Sequence, residues 1–406
     1  MNGLPGPIVR YGPNRFSFSD AESPKTIYGH GTQFPKSDFY TTFQPSEDMW
    51  NMFADRDIKH HAHTRRFSAN AYSMGSLIHY EPYLNECGAL FSQHLLEFSN
   101  AGTAADFGHW FQCFAFDAIA LITYGKRLGF LDRGEDIANV IDNLDNNLLY
   151  ASLMGIFPAL HKFAMPLLAM IDARIGSGTG IRSPRPNTKK TAPRAAVGET
   201  FLSKFLAKHS HNPDEYTNFH VLTGCASNMF AGSDTTGISL SAILYNLLKN
   251  PDSMGKLREE IDDFTRRGEL SQAPSFQETS KMPYLQAVIK EALRIHPARG
   301  SIVGINSWVQ HRNKTLFGED AEYFRPDRWL ISDEARLSVM NRNWMPFGLG
   351  SRTCMGKNIS MLEMSKLIPR IIRDFEFKLE GTSAMPGCSW ETHNAWFVKP
   401  RKFYAT

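Results

Sequence analysis

The sequence predicts a mainly α-helical fold with a minor β-sheet, and three observations carry that prediction. Over most of the chain, apolar residues recur at three- and four-residue spacing, the period that lines one face of a helix. The stretch 214–249 is apolar on nearly every side through its middle, as a helix running through a core must be. Runs of β-branched and aromatic residues are short, and they sit at the start of the chain and in its last quarter. A chain of 406 residues with 42% hydrophobic content can bury one large core. No linker divides it, so residues 1–406 are expected to form a single domain.

Taken in order, residues 8–11 and 15–19 read as strands joined by the turn Gly12-Pro13-Asn14. Amphipathic helices are expected over 80–99 and 107–123, with further helical patterns across 136–163. Residues 176–198 are rich in Gly, Ser, Pro, Lys and Arg and nearly free of large apolar side chains, which makes them a solvated loop. Its basic character leaves room for a peripheral contact with a membrane or a partner. The long helix 214–249 is stopped by Asn250-Pro251. A charged helix over 251–267 and another over 282–295 follow, the second ending before His296-Pro297. Residues 301–305 read as a strand, followed by a meander, a helix reaching about 375 and short strands to the end.

A formal net charge of +3 carries no polyanion-binding signature, so nucleic acid is not an expected partner. The five cysteines, Cys87, Cys113, Cys225, Cys354 and Cys388, are scattered, odd in number and without C-x-x-C spacing. That pattern fits a reducing, intracellular compartment. No apolar run of about 20 residues is present to span a bilayer.

One stretch points to chemistry. Phe347-Gly-Leu-Gly-Ser-Arg-Thr-Cys-Met-Gly356 reads F-x-x-G-x-R-x-C-x-G and ends where a helical pattern begins. A lone cysteine usually packs as an inert small hydrophobe. Five specified positions in a window of ten make a metal-ligating thiolate the better reading of Cys354. Such a ligand to haem iron sits in a tight loop whose glycines, here Gly350 and Gly356, let the backbone approach a porphyrin. Arg352 is placed to reach a haem propionate, and the following helix can direct its amide dipole at the sulfur.

In these residues the chain resembles the cytochrome P-450 family, the haem-thiolate monooxygenases, and three further motifs appear in the family's order. Ala231-Gly-Ser-Asp-Thr-Thr236 is similar to the oxygen-binding motif of the central helix. There Ala231 and Gly232 leave room for a haem face, and Asp234 and Thr235 form an acid and hydroxyl pair for proton delivery. The bland alternative is a bent helix whose Ser and Thr hydroxyls bond back to its own carbonyls. Glu291-Ala-Leu-Arg294 is an E-x-x-R pair on one helix face. Together with Arg328 of Phe324-Arg-Pro-Asp-Arg-Trp329, the resemblance makes it a structural triad that holds the cysteine loop. His61-Ala-His-Thr-Arg65 stands where the family has W-x-x-x-R, so His61 and Arg65 are expected at a propionate, with Tyr72 further along the same helix. The cluster His60, His61, His63 has no carboxylate or thiol at ligand spacing to complete a divalent-metal site.

The resemblance implies a cytochrome P-450 fold, heme b (iron protoporphyrin IX) between the long helix and the cysteine-loop helix, and Cys354 as axial ligand. It further implies insertion of one oxygen atom from O2 into a small or medium apolar metabolite. Met229 and Phe230 are candidate pocket residues by helix position. With no flavin or nicotinamide fingerprint in the chain, electrons are expected from an NADPH-cytochrome P-450 reductase, docking on the cysteine side near exposed cations such as Lys357 and Lys366. Segments such as Ile27-Tyr-Gly-His-Gly31 and Ser360-Met-Leu-Glu-Met364 resemble fungal secondary-metabolism members of the pisatin-demethylase-like group. Eukaryotic relatives carry an endoplasmic-reticulum anchor and a first helix ahead of this point, and both are expected to be absent from this chain. A second departure lies between His296-Pro297 and Ser301, where only Ala298-Arg299-Gly300 stands in place of a strand, a hairpin and a haem-facing loop. That shortening keeps open a haem-binding protein without turnover.

Overall fold

A computed structural model describes residues 8–12, 15–44, 51–175, 199–297, 304–379, 390–394, 396–401 and 403–406. Its main helices are α1 (Ser23–Tyr28), α2 (Ile58–Ala69), α3 (Glu81–Ala101), α4 (Phe107–Tyr124), α5 (Val140–Met154), α6 (Pro158–Ile175), α7 (Phe201–His211), α8 (Asn218–Lys249), α9 (Pro251–Arg266), α10 (Pro283–Ile295), α11 (Glu334–Asn343) and α12 (Lys357–Asp374). The strands are few and short, so the expected helical fold with a minor sheet is what forms. β1 (Ile8–Gly12) runs antiparallel to β2 (Arg15–Phe18), as the hairpin pattern predicts, with turn residues 13–14 outside the described set. β3 (Ala105–Asp106) lies just ahead of α4. β4 (Gly304–Ile305) joins β2 in parallel register, while β5 (Thr392–Asn394) and β6 (Val398–Pro400) form a hairpin. β7 (Tyr404–Ala405) returns to pair with β3.

Local chemistry explains the boundaries. Asp57 caps α2 by accepting from His60 N, and Asp106 caps α4 by accepting from Gly108 N and His109 N. The helical pattern over 136–163 divides at Gly155-Ile-Phe157, where Pro158 opens α6 in the first-turn position that needs no amide donor. α8 begins four residues after the periodic pattern does, because Thr217 N–H donates 3.1 Å to Nδ1 of His220 and fixes the first turn there. Tyr72 falls in the 3-10 turn Asn70–Tyr72 beyond the end of α2, not on α2 as expected. The basic stretch 176–198 and the shortened segment, including residues 298–303, lie outside the described residues.

α8 is the axis of the core, and its most extensive neighbour is α4. Two glycines allow that approach: an added Cβ on Gly237 would stand 3.0 Å from Gln112 Cα, and one on Gly232 would stand 2.9 Å from Ile119 Cγ1. α12 and α10 pack against α8 from its other sides. The distal and cysteine-bearing segments are therefore held by the same buried cluster.

Candidate functional site

The cysteine loop is built by backbone geometry. Cys354 N–H closes the loop by donating 2.8 Å to Phe347 O, and Thr353 N–H donates 3.1 Å to Gly350 O. Gly348 (φ +69°) and Gly350 (φ +61°) hold left-handed conformations that other residues rarely adopt. At Gly350 a Cβ would also collide with the carbonyl oxygen of Tyr28, the last residue of α1. Gly356 needs no such freedom within the polypeptide, since a Cβ there would meet only Cys354 Sγ at 3.9 Å. α12 starts one residue later, so its amide end follows the cysteine.

The loop rests on α10. Glu291, Arg294 and Arg328 are all buried, with Arg294 Nη2 at 2.8 Å and Arg328 Nε at 3.0 Å from Glu291 Oε1. Glu291 Oε2 also accepts from Trp329 Nε1 at 2.9 Å, so the carboxylate is saturated. Two links carry this support to the loop. Met345 N–H donates 2.9 Å to His311 Nε2, which leaves Nδ1 of the neutral ring to donate 3.0 Å to Arg294 O. Burial pushes the His311 imidazole down to about 3, with the Arg294 charge pushing the same way, so the ring stays neutral. Trp344 Nε1 donates 3.0 Å to Lys290 O. His311 carries no motif, and sequence reading missed it.

Beside the loop, α2 presents His61 and Arg65. Arg65 Nη2 donates 2.6 Å to Thr353 O, and Arg352 Nη1 donates 2.8 Å to Asp55 O. His61 is driven down to about 3, first by burial and then by the charges of Arg352 and Arg65, so it is neutral. His60 Nδ1 lies 2.8 Å from Asp55 Oδ2, a carboxylate that spacing alone did not reveal.

Around its motif, α8 has an accessible row. Ser227, Phe230 and Ala231 are exposed and Thr235 partly so, while Met229 packs into the main core. Thr235 Oγ1 donates 2.7 Å to Ala231 O, and Ser233 and Ser239 hydroxyls bond back to their own helix in the same way. Asp234 turns to the opposite side and is fully buried. Its Oδ2 lies 2.8 Å from Nζ of Lys399 on β6, its Oδ1 accepts from Gln112, and Lys399 also pairs with Asp145 of α5. Burial raises the Asp234 carboxyl above its ordinary range, while the Lys399 charge pulls it back down. Neither Lys399 nor Gln112 was legible, because each lies more than a hundred residues from its partner in a stretch with no signature.

The cytochrome P-450 family model matches residues 7–302 and 298–403, two segments that meet at the expected shortening. A cytochrome P-450 monooxygenase of Aspergillus terreus is 36% identical over 411 residues, covering 91% of this chain and 82% of its own length. Pisatin demethylase of Fusarium vanettenii is 34% identical, covering 97% of this chain and 80% of its own length. The monooxygenase cicH of Emericella nidulans is 35% identical over 98% of this chain and 85% of its own. The chain belongs to the cytochrome P-450 family. A P-450 implies a haem, and the residues present fit one. Arg352 Nη2 is buried without a hydrogen-bond partner, beside Arg65 and a neutral His61. Two guanidiniums that repel each other, one with an orphaned donor, form a site for a carboxylate. Among the described residues of this P-450, no helix is long and apolar enough to cross a membrane.

Gly232 and Lys366 require correction. The close approach at Gly232 that the structure records is to Ile119 of α4, so helix packing accounts for this glycine. Lys366 is buried, donating to Pro274 O and lying 3.3 Å from Glu81 Oε2, so it is not an exposed docking cation; Lys357 is only partly exposed.

Proposed function

We propose that this P-450 is a haem-thiolate monooxygenase inserting one oxygen atom from O2 into a small or medium apolar metabolite of a secondary pathway, with residues 1–406 acting as one domain. The observation that carries the reading is the Cys354 loop, braced from α10, beside the unsatisfied guanidinium of Arg352. Arg352, Arg65 and His61 would hold the propionates, and Cys354 the iron of heme b. A haem held there supplies oxygen activation at its iron, with thiolate donation favouring O–O cleavage. Thr235 is the hydroxyl on the accessible row of α8, next in sequence to Asp234, whose carboxyl is paired with the Lys399 ammonium and would be the acid of the proton-delivering pair. For Thr235 to serve as donor its hydroxyl rotates away from Ala231 O, a low-barrier change of one rotamer. Phe230 and Ala231 give the substrate side an apolar surface.

Electrons would come from an NADPH-cytochrome P-450 reductase on the cysteine side, where α2 exposes Lys59 and Arg66. Purified protein, reductase and NADPH with a substrate found by product analysis test the reading. Thr235→Ala is expected to keep NADPH consumption within about threefold while product per NADPH falls about tenfold or more. Unchanged coupling would remove Thr235 from the role. A second reading, haem binding without turnover, is favoured by the break of the family match at 298–302. It predicts bound haem and no product with any substrate or reductase.

A further inference from the structure

α12 carries a carboxyl group that neither the cysteine loop nor Asp234 accounts for. Glu363 is 0% exposed, and both of its side-chain oxygens are buried without a hydrogen bond of good geometry. Among the described residues no ion pair reaches it. It belongs to the contact between α12 and α8, where Thr236 Oγ1 and Ser360 Oγ lie 3.1 Å apart. Ser360 precedes it by three positions on the same helical face, and Thr236 directly follows Thr235. The surrounding charges have other partners. Lys366 binds Glu81 and Pro274 O, and Arg370 donates 2.9 Å to Ser92 Oγ of α3. From α3 the titratable neighbour is Cys87, a fully buried thiol pushed up chiefly by burial and in part by Glu363 itself. From α8 the facing group is the Thr236 hydroxyl, which pulls the carboxyl down, whereas burial pushes it up to about 8.

An isolated carboxylate in such surroundings has no compensation, whereas a carboxylic acid can donate to a hydroxyl. We propose that Glu363 is a positioning residue that works uncharged, its acid proton directed at the Thr236–Ser360 hydroxyl pair, tying the segment of α8 that bears Thr235 to the helix that follows the cysteine. The device parallels other enzymes in which an apolar site keeps a carboxylic acid neutral so that it can donate. Only the importance of this tie for catalysis rests on the haem-thiolate reading; the state of the carboxyl does not.

The protonation state has a thermodynamic signature. An unfolded glutamate ionises near its ordinary value of 4.5, while the folded one holds its proton to about 8. The contribution of this carboxyl to native stability therefore falls as pH rises across that window and is constant above it. Glu363→Gln keeps the shape and a donor but cannot ionise. The expected result is a melting temperature of the variant, relative to wild-type protein, that climbs from pH 5 to pH 8 and then levels. Infrared spectra should agree: a D2O-sensitive protonated-carboxyl band at pH 7, present in wild-type protein and missing in the variant, fades in wild-type protein as pH passes about 8. Subtraction isolates Glu363 from the buried Asp117, Asp234 and Glu260. If Glu363→Gln does not fold, the wild-type band and its loss with pH still decide the matter. A pH-independent difference in melting temperature, or no carboxyl band assignable to this residue at pH 7, would overturn the proposal. Both readouts are of the carboxyl itself, so failure of the monooxygenase reading, seen as absent product, remains separable.

Discussion

At the scale of single residues, the loop around Cys354 depends on backbone conformation as much as on its sulfur. Gly350 combines a φ of +61° with a contact to the Tyr28 carbonyl that excludes a methyl group. Gly350→Ala is expected to cost about 1–3 kcal/mol in backbone strain alone, more once the clash is included. The measurement is haem retention on purification together with the melting temperature. Retention and stability equal to the parent would show that α1 does not brace the loop. The motif made Cys354, Arg352 and Gly350 legible because a thiolate loop needs those residue types at fixed spacing. It did not reveal Gly348, which shares the left-handed conformation at a position the motif leaves open. Side-chain direction was equally hidden: Asp234 and Thr235 are adjacent in sequence, yet a turn of 100° per residue sends one to Lys399 and leaves the other on the accessible row.

Between elements, the site is organised by long-range polar links that periodicity cannot show. Lys399 of β6 joins α8 to α5 by pairing with Asp234 and Asp145. Lys399→Met leaves the fully buried Asp234 facing Asp145 without a cation, and breaking such a pair costs about 3–5 kcal/mol. It also removes the charge that draws the Asp234 carboxyl down, so that group should ionise at higher pH. The pH profile of coupling is expected to shift upward accordingly, with Lys399→Arg restoring most of the parent profile. A profile unmoved by Lys399→Met would separate Asp234 from proton delivery. The triad of Glu291, Arg294 and Arg328 was readable from the sequence, because its members sit in motifs. The His311 bridge to Met345 was not, although it ties Arg294 of α10 to the segment that leads into the loop.

For the whole molecule, short strands distant in sequence close the fold: β2 meets β4, β3 meets β7, and His296 Nε2 donates 2.8 Å to Val398 O. The helices over 80–99, 107–123, 214–249, 251–267 and 282–295 followed from apolar spacing, whereas α1, α7 and α11 were not singled out, and the pairing of the short strands was not legible because two-residue strands such as β3 and β7 carry too little pattern to read. Burial pushes His296 down to about 4 and His311 to about 3, so both are neutral in the folded state. Unfolded histidine takes up its proton near 6.5, so the contribution of these two rings to stability is complete above that pH and falls progressively below it, toward 3–4, in the sense opposite to that of Glu363. Melting temperatures of Glu363→Gln from pH 7 down to pH 4, in which the opposing carboxyl is removed, measure this, and a flat profile would show that neither ring is held neutral by the fold. The proposed function turns on Cys354 presenting a thiolate to haem iron in a loop fixed by this architecture. Its most direct measurement is the carbon monoxide difference spectrum of reduced protein, alongside Cys354→Ser. The red-shifted Soret band of thiolate ligation is expected in the parent and its loss in the variant; an unshifted band in the parent, or a shifted one surviving in Cys354→Ser, would contradict ligation by Cys354.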